Sequence, residues 1–369
     1  MMENESQQHD SMIPVTRPFL PPKAELDVHL DGIYARQWLT NDGPLVRKLE
    51  AALPNHLGCR EMSFVSNGTI ALQLAIRALE VHGEVITTPF SYVATTTSIL
   101  WENCTPRFVD IEANGFNIDP TNIEAAITEH TSAILATHCF GLSCNIQEIG
   151  KIANRYNLVV IYDAAHCFGA TYQGQSIFNF GDVSTCSFHA TKLFHTVEGG
   201  GMFMNDKTRK KVNLLRNFGH DGPEKFTGIG INGKNSEFHA AMGISVLPHM
   251  KGILDQRRKI NTRYFEQLRD EEQLALVNPQ TEGWNWAYCP AVFQSEEVCL
   301  RVKENLEKHG VSPRRYFYPS LDMLHGKDGE HCINARQTAR RILCLPSYHD
   351  LSMTEIDRIC TIISNTLDS

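Results

Sequence analysis

Short apolar runs punctuate the first two thirds of the chain, each separated from the next by a stretch with helical spacing. The runs are Ser63-Phe64-Val65-Ser66, Glu84-Val85-Ile86-Thr87, Arg107-Phe108-Val109, Ala133-Ile134-Leu135-Ala136, Leu158-Val159-Val160-Ile161-Tyr162 and residues 183–188. Runs this short, rich in β-branched residues, predict buried strands. Their alternation with amphipathic segments, such as the one carrying Leu72, Leu74, Ala75 and Leu79, predicts an α/β fold with a mostly parallel sheet covered by helices.

The pattern changes near residue 245. From there to about 270, Ile253, Arg257, Ile260 and Tyr264 recur at helical spacing and predict one long connecting helix. Apolar runs follow at 274–277 and 287–293, then a helix from Ser295 to about His309 stopped by Gly310. A last helix opens at Ser352-Met353-Thr354-Glu355, the signature of a capping box. The expected organisation is a large domain over 13–245 and a connecting helix with a smaller α+β C-terminal domain over 246–369. Residues 1–12, dominated by Glu, Ser, Gln and Asp, read as a disordered leader.

Composition narrows the function classes. Hydrophobic content of 42%, charged content of 21% and a formal charge of -8 describe an ordinary globular chain and give no reason to expect nucleic acid as a partner. No apolar run approaches the length of a membrane span, and the polar N-terminus lacks the apolar stretch of a signal peptide. Eleven cysteines without a Cys-x-x-Cys pair fit a reducing compartment, so the cytoplasm is expected. His189 and His195 are spaced unlike a ligand pair, and no metal is expected.

The candidate chemistry lies between Asp163 and Lys192. Asp163 closes the most apolar of the runs, which places its carboxylate at the carboxyl edge of the sheet, where open α/β sheets bind ligands. Lys192 follows in Ser187-Phe188-His189-Ala190-Thr191-Lys192, ahead of Glu198-Gly199-Gly200-Gly201. An amine held near a fixed carboxylate is what pyridoxal phosphate chemistry needs: the amine captures the cofactor aldehyde as a Schiff base, and the carboxylate keeps the pyridine nitrogen protonated. Taken singly, each fragment has a plainer reading. Asp163 suits a cap for a helix from Ala164 onward, His166 a satisfied core position, Ser187 a solvated hydroxyl and Ser66-Asn67-Gly68-Thr69 a helix cap. That same glycine turn at a helix N-terminus is also a ready phosphate site. Tyr92 follows a strand and can lay its ring on a flat heterocycle, with core packing as the alternative.

The joint order of these fragments resembles the sugar aminotransferases of the DegT/DnrJ/EryC1/StrS family, which have the fold type I architecture. The resemblance runs through Thr40-Asn41-Asp42-Gly43-Pro44, Asn67-Gly68-Thr69-Ile70-Ala71-Leu72, Asp110-Ile111 to Asn117-Ile118-Asp119-Pro120, His138-Cys139-Phe140-Gly141, Asp163-Ala164-Ala165-His166, the Lys192 segment and Gly230-Ile231-Asn232. It implies pyridoxal 5'-phosphate as cofactor, with Lys192 forming the Schiff base and shuttling the proton and Asp163 pairing with the pyridine nitrogen. His166 would lie near the ring hydroxyl, Tyr92 on the ring face, and Gly68, Thr69 and Ser187 around the phosphate. Asn232 would reach that phosphate from the neighbouring subunit of a homodimer with shared sites.

Where many relatives carry arginine this chain has Lys234, which grips a donor carboxylate less firmly because it offers no bidentate fork. Tyr316 and Tyr318, with Arg314 and Arg315, are candidates for sugar or diphosphate, although an alternating strand explains them equally. Relatives that dehydrate rather than aminate have histidine at the lysine position, so the resemblance implies transamination. L-Glutamate and a nucleotide-linked 4-keto-6-deoxy sugar are the implied substrates, with dTDP-4-keto-6-deoxyglucose going to the 4-amino-4,6-dideoxy sugar. A GDP-perosamine-type or 3-aminating enzyme is the alternative, and a catalytically silent cofactor-binding regulator the alternative of another class.

Overall fold

The computed structural model describes residues 12–325 and 331–368. Apart from Met12, the expected disordered leader lies outside the described residues. Among them, the largest sheet has seven strands: β1 (Met62–Val65), β2 (Glu84–Thr87), β3 (Thr105–Phe108), β4 (Thr131–Thr137), β5 (Val159–Asp163), β6 (Val183–Ser187) and β7 (Gly200–Met204). Their order is β1-β7-β6-β5-β4-β2-β3. Every pair from β6 to β3 is parallel, and β7 alone runs antiparallel, to both β6 and β1.

Each of the six predicted runs forms a strand within about a turn's length of its expected place. Strand β7 lies outside those six runs, since it opens on Gly200-Gly201, which carry no apolar signal. Glycine is needed there for contact rather than for bending: a Cβ on Gly200 would lie 2.5 Å from the Asn67 carbonyl oxygen, and one on Gly201 would lie 2.6 Å from the Phe188 ring.

Side-chain alternation divides the sheet between two apolar layers. Ile134, Ala136, Val160 and Tyr162 face one layer, together with Phe64 and Phe203. Ala133, Leu135 and Ile161 face the other, which is filled by Leu72, Leu74 and Ala75 of helix α1 (Gly68–Ala78). Both faces are buried, as a parallel sheet requires.

The C-terminal region builds a second core on an antiparallel sheet of β8 (Leu274–Leu276), β9 (Cys289–Phe293) and β10 (Ile342–Leu345). Its last helix, Met353–Leu367, starts with the expected capping box between Ser352 and Glu355. Two expectations need correction. The connecting helix does not run unbroken from 245: a 3-10 turn, Leu247–His249, containing Pro248, interrupts it, and the long helix is Met250–Leu268. Proline lacks the N–H that a continuous helix would use. The domain start at residue 13 also shifts, since Ile13–Pro14 pairs with Val311–Ser312 and Ile13 packs into the C-terminal core. A two-residue strand carries no periodicity that could reveal its partner.

Candidate active site

The chain leaves β1, β2, β5 and β6 at the same carboxyl edge, and each exit contributes to one cavity of about 470 Å³. Asp163, the last residue of β5, is 5% exposed. Its carboxylate accepts from Thr95 Oγ1 at 2.6 Å and from the Ala165 amide at 3.2 Å. Burial pushes the carboxyl up, while the two hydrogen bonds and the nearby Lys192 oppose that rise. No helix starts at Ala164. The chain turns instead, with Cys167 N bonded to Ala164 O and Ala170 N to Cys167 O, so Asp163 is not a helix cap.

That turn carries His166. The Phe140 amide donates to His166 Nδ1 at 3.2 Å, which leaves Nε2 as the nitrogen bearing hydrogen in the neutral ring. Burial, with Lys192 adding to it, holds the imidazole well below its usual range and therefore neutral. Phe317 stacks on it with ring centres 5.7 Å apart.

Ser66–Thr69 crosses from β1 into α1. Asn67 caps the helix, its Oδ1 accepting from the Ile70 amide at 2.8 Å, so the cap reading of this turn is correct. The same turn also lines the cavity with Gly68 and Thr69. A Cβ on Gly68 would sit 3.1 Å from the Ser187 Cβ, so the helix N-terminus and the end of β6 adjoin closely. A helix N-terminus beside a serine hydroxyl is a cradle for an anion.

Lys192 stands in a loop closed by Phe188 N to Gly199 O and Ala190 N to Val197 O, both 2.8 Å. Val197 is held at φ 68, a strained conformation for a β-branched residue. The lysine Nζ donates to Tyr288 Oη at 3.2 Å. Burial lowers the ammonium's pKa, and Tyr316 and Asp163 act the other way. Tyr92, directly ahead of helix α2 (Val93–Trp101), lines the cavity and is 52% exposed, so core packing does not explain it. Arg314 and Tyr316 complete the wall, with the guanidinium 4.4 Å over the ring.

Three candidates lie elsewhere. Asn232 and Lys234 are outside the lining of this cavity; Lys234 Nζ donates to Asn232 Oδ1 at 2.9 Å and stands 4.9 Å over Phe218. Tyr318 also points away, covered at 3.6 Å by Arg315, whose guanidinium is engaged with Glu296. The expected alternating strand is absent at 316–318, since the strand stops at Ser312 and the chain turns after Arg314. Thr95 and Tyr288 were missed. Thr95 sits one helical turn after Tyr92, which is a usable signal; Tyr288 had none.

A buried acid, a lysine amine and an anion cradle around one cavity define a pyridoxal-phosphate-dependent group-transfer site. The residues fit that cofactor: Gly68 lets the helix N-terminus lie against Ser187, where any side chain at 68 would press on that serine, and among the described residues Asp163 carries no cation partner at hydrogen-bond distance that would block its use. The chain belongs to the DegT/DnrJ/EryC1/StrS aminotransferase family, which it matches over residues 23–364. It is an aminotransferase whose cofactor is pyridoxal 5'-phosphate. It is 42% identical to a dTDP-4-amino-4,6-dideoxy-D-glucose transaminase of Shigella dysenteriae, over 95% of this chain and 97% of that one. A protein of the same name from Escherichia coli is 39% identical over 96% and 99%, and a GDP-perosamine synthase of Escherichia coli O157:H7 is 29% identical over 95% and 98%. Among solved structures, DesI in the presence of its TDP-sugar product superposes with a TM-score of 0.92 at 31% identity, over 97% of this chain and 93% of that chain.

Proposed function

We propose that this aminotransferase moves the amino group of L-glutamate onto the keto carbon of dTDP-4-keto-6-deoxyglucose, forming dTDP-4-amino-4,6-dideoxyglucose. The substrate reading is supported by the names of the two relatives at 42% and 39% identity, and is preferred to a GDP-linked sugar because GDP-perosamine synthases stand at 29% and 30%. The site reading rests on one observation above others: Lys192 and Asp163 open on the same cavity, beside the N-terminus of α1.

Bound in that cavity, pyridoxal phosphate supplies an electron sink for the carbon that loses its proton. Gly68, Thr69 and Ser187 would hold its phosphate, and Tyr92 would cover its ring. Asp163, kept an acceptor by its bonds from Thr95 and Ala165 and by the nearby Lys192 against the opposing effect of burial, offers a buried carboxylate on this cavity able to hold a proton on the pyridine nitrogen. His166, neutral, donates from Nε2 to an oxygen acceptor. The Lys192 amine, its ammonium weakened by burial, would take the proton from the donor α-carbon and deliver it to the cofactor, and run the same transfer in reverse for the sugar. Arg314 is the cation on the cavity wall for an anionic substrate group, a role that Lys234 does not fill within the same chain.

Asn232 and Lys234 serve, in this reading, the site of a second copy in a homodimer. Phe226 and Ile229, on the loop that leads to them, are 63% and 95% exposed and are the apolar surface such a partner would cover. No helix of the described residues is long and apolar enough to cross a membrane, and free cysteines at all eleven positions agree with a reducing cytoplasm. The test is a panel of dTDP-, GDP- and UDP-linked keto-sugars incubated with enzyme and L-glutamate, with products read by mass and NMR. The equatorial 4-amino product from the dTDP sugar is expected. Preference for a GDP-linked sugar, an axial amine or amination at the 3-position would replace this reading.

A further inference from the structure

Tyr288 reaches the site from the C-terminal sheet, one residue ahead of β9. Its hydroxyl accepts from Lys192 Nζ at 3.2 Å, and the ring is confined on three sides. His166 lies 4.7 Å away between ring centres, Phe140 5.7 Å and Tyr316 5.8 Å, the last two edge-on. Tyr288 does not line the main cavity. With Lys192, Phe168 and Leu193 it borders a separate, narrow gap behind the lysine. Lys192 borders both spaces, and its amine is bonded to the phenol between them.

The backbone beside Tyr288 is clamped from the long helix. Arg257 is 4% exposed, and its guanidinium donates to the Ala287 carbonyl at 3.2 Å and to the Ser347 carbonyl. A buried cation held by carbonyls alone is expensive, and the residue it fixes is the neighbour of Tyr288. The phenol is thus placed from both sides, by rings around it and by Arg257 beneath its backbone.

We infer that the Tyr288 hydroxyl is the dock for the Lys192 amine whenever that amine is not bonded to the cofactor. A neutral phenol accepts from an ammonium, the stronger, charge-assisted bond, and can still donate to a free amine. Burial pushes the phenol's own pKa up, so it keeps its proton while the lysine titrates. The other titratable groups facing Nζ are Asp163, His166, Cys186, Tyr92 and Tyr316. Docking fixes the amine at the wall of the cavity while substrate enters. This inference rests on the reading of Lys192 as the reactive amine.

The test uses full-length enzyme converted by L-glutamate to the aminated-cofactor form, in which Lys192 is free. Trace acetylation with acetic anhydride across a pH series, read on the Lys192 peptide by mass spectrometry, gives the midpoint of its titration. Tyr288→Phe removes an acceptor from the ammonium and is expected to lower that midpoint by about one unit. Replacing Tyr288 with 3-fluorotyrosine, which keeps the ring and the hydroxyl but weakens the acceptor, is expected to lower it by less, and covers the case in which the phenylalanine variant misfolds. A midpoint that stays in place or rises overturns the dock. Full turnover in Lys192→Ala would instead remove the lysine assignment, and the two failures are read by different measurements.

Discussion

Thr95 Oγ1 donates a 2.6 Å hydrogen bond to Asp163 Oδ2, both groups being buried at the carboxyl edge of the main sheet. Because Thr95 donates there, it receives from Ser91 Oγ at 2.7 Å, and Ser91 in turn lies 3.1 Å from Thr137 Oγ1. A short chain of hydroxyls therefore opposes the rise that burial imposes on the Asp163 carboxyl. Thr95→Val keeps the shape and removes the donor. It is expected to weaken cofactor binding about tenfold, the loss typical of a hydrogen bond to a charged group, with a smaller change in melting temperature. Equilibrium dialysis of the cofactor beside a thermal melt checks this, and equal cofactor affinity would show that Asp163 does not depend on Thr95.

His138 makes stability depend on pH. It is fully buried, stacked 4.5 Å from Tyr162, and its Nδ1 accepts from the Cys144 amide at 2.9 Å while Nε2 has no partner among the described residues. Burial pushes its pKa down to about 3. A group depressed in the folded state contributes stability that is complete above its unfolded value near 6.5 and is lost as pH falls toward the folded value. Between those limits the loss approaches roughly 1.4 kcal/mol per pH unit. His166 shifts in the same direction and adds to it. Unfolding free energy measured from pH 7 to pH 4 should fall steeply, and His138→Asn, though less stable at pH 7, should show a shallower slope. A parallel slope in the variant would mean that His138 does not titrate with unfolding.

The strands and the candidate site groups are legible for one physical reason: a parallel strand buried on both faces needs a continuous apolar run, and the polar residue that ends it lands at the carboxyl edge, where open α/β sheets bind ligands. Asp163 and Ser187 are legible in this way. Strand β7 was hidden because close packing against Asn67 and Phe188 demands glycine, which otherwise signals a turn. Tyr288 was hidden because its partner is 96 positions away and nothing local marks it. Tyr318 was overread: it follows Tyr316 by two residues, yet the chain turns between them and only Tyr316 meets the cavity.

The homodimer proposal has its own test. Lys192 lies in the cavity of its chain while Asn232 does not, so each site would draw the two residues from different copies. Mixing Lys192→Ala with Asn232→Ala subunits should restore activity to roughly a quarter of the wild-type level at random exchange, since in each mixed dimer one of two sites regains both groups. Absence of rescue under verified exchange would assign both residues to one chain's site.

Two glycine substitutions separate the anion cradle from general stability. A Cβ on Gly200 would meet the Asn67 carbonyl oxygen at 2.5 Å and the Gly68 nitrogen at 3.0 Å, and backbone atoms of a capped helix start cannot swing aside as a side chain can. The strain must then move the Asn67-Gly68 turn itself, which is where the phosphate is proposed to sit. Gly200→Ala is expected to cost about 1–3 kcal/mol of stability, the usual range for overpacking, and to weaken binding of pyridoxal phosphate more than a variant of equal instability elsewhere. Gly252, inside the helix Met250–Leu268, has nothing within 4 Å of its would-be Cβ. Gly252→Ala should therefore stabilise by about 0.5–1 kcal/mol through the better helix propensity of alanine. Cofactor titration and thermal melts of the two variants, run together, decide the matter: if Gly200→Ala destabilises the fold but binds cofactor as the parent does, the N-terminus of α1 is not the phosphate site.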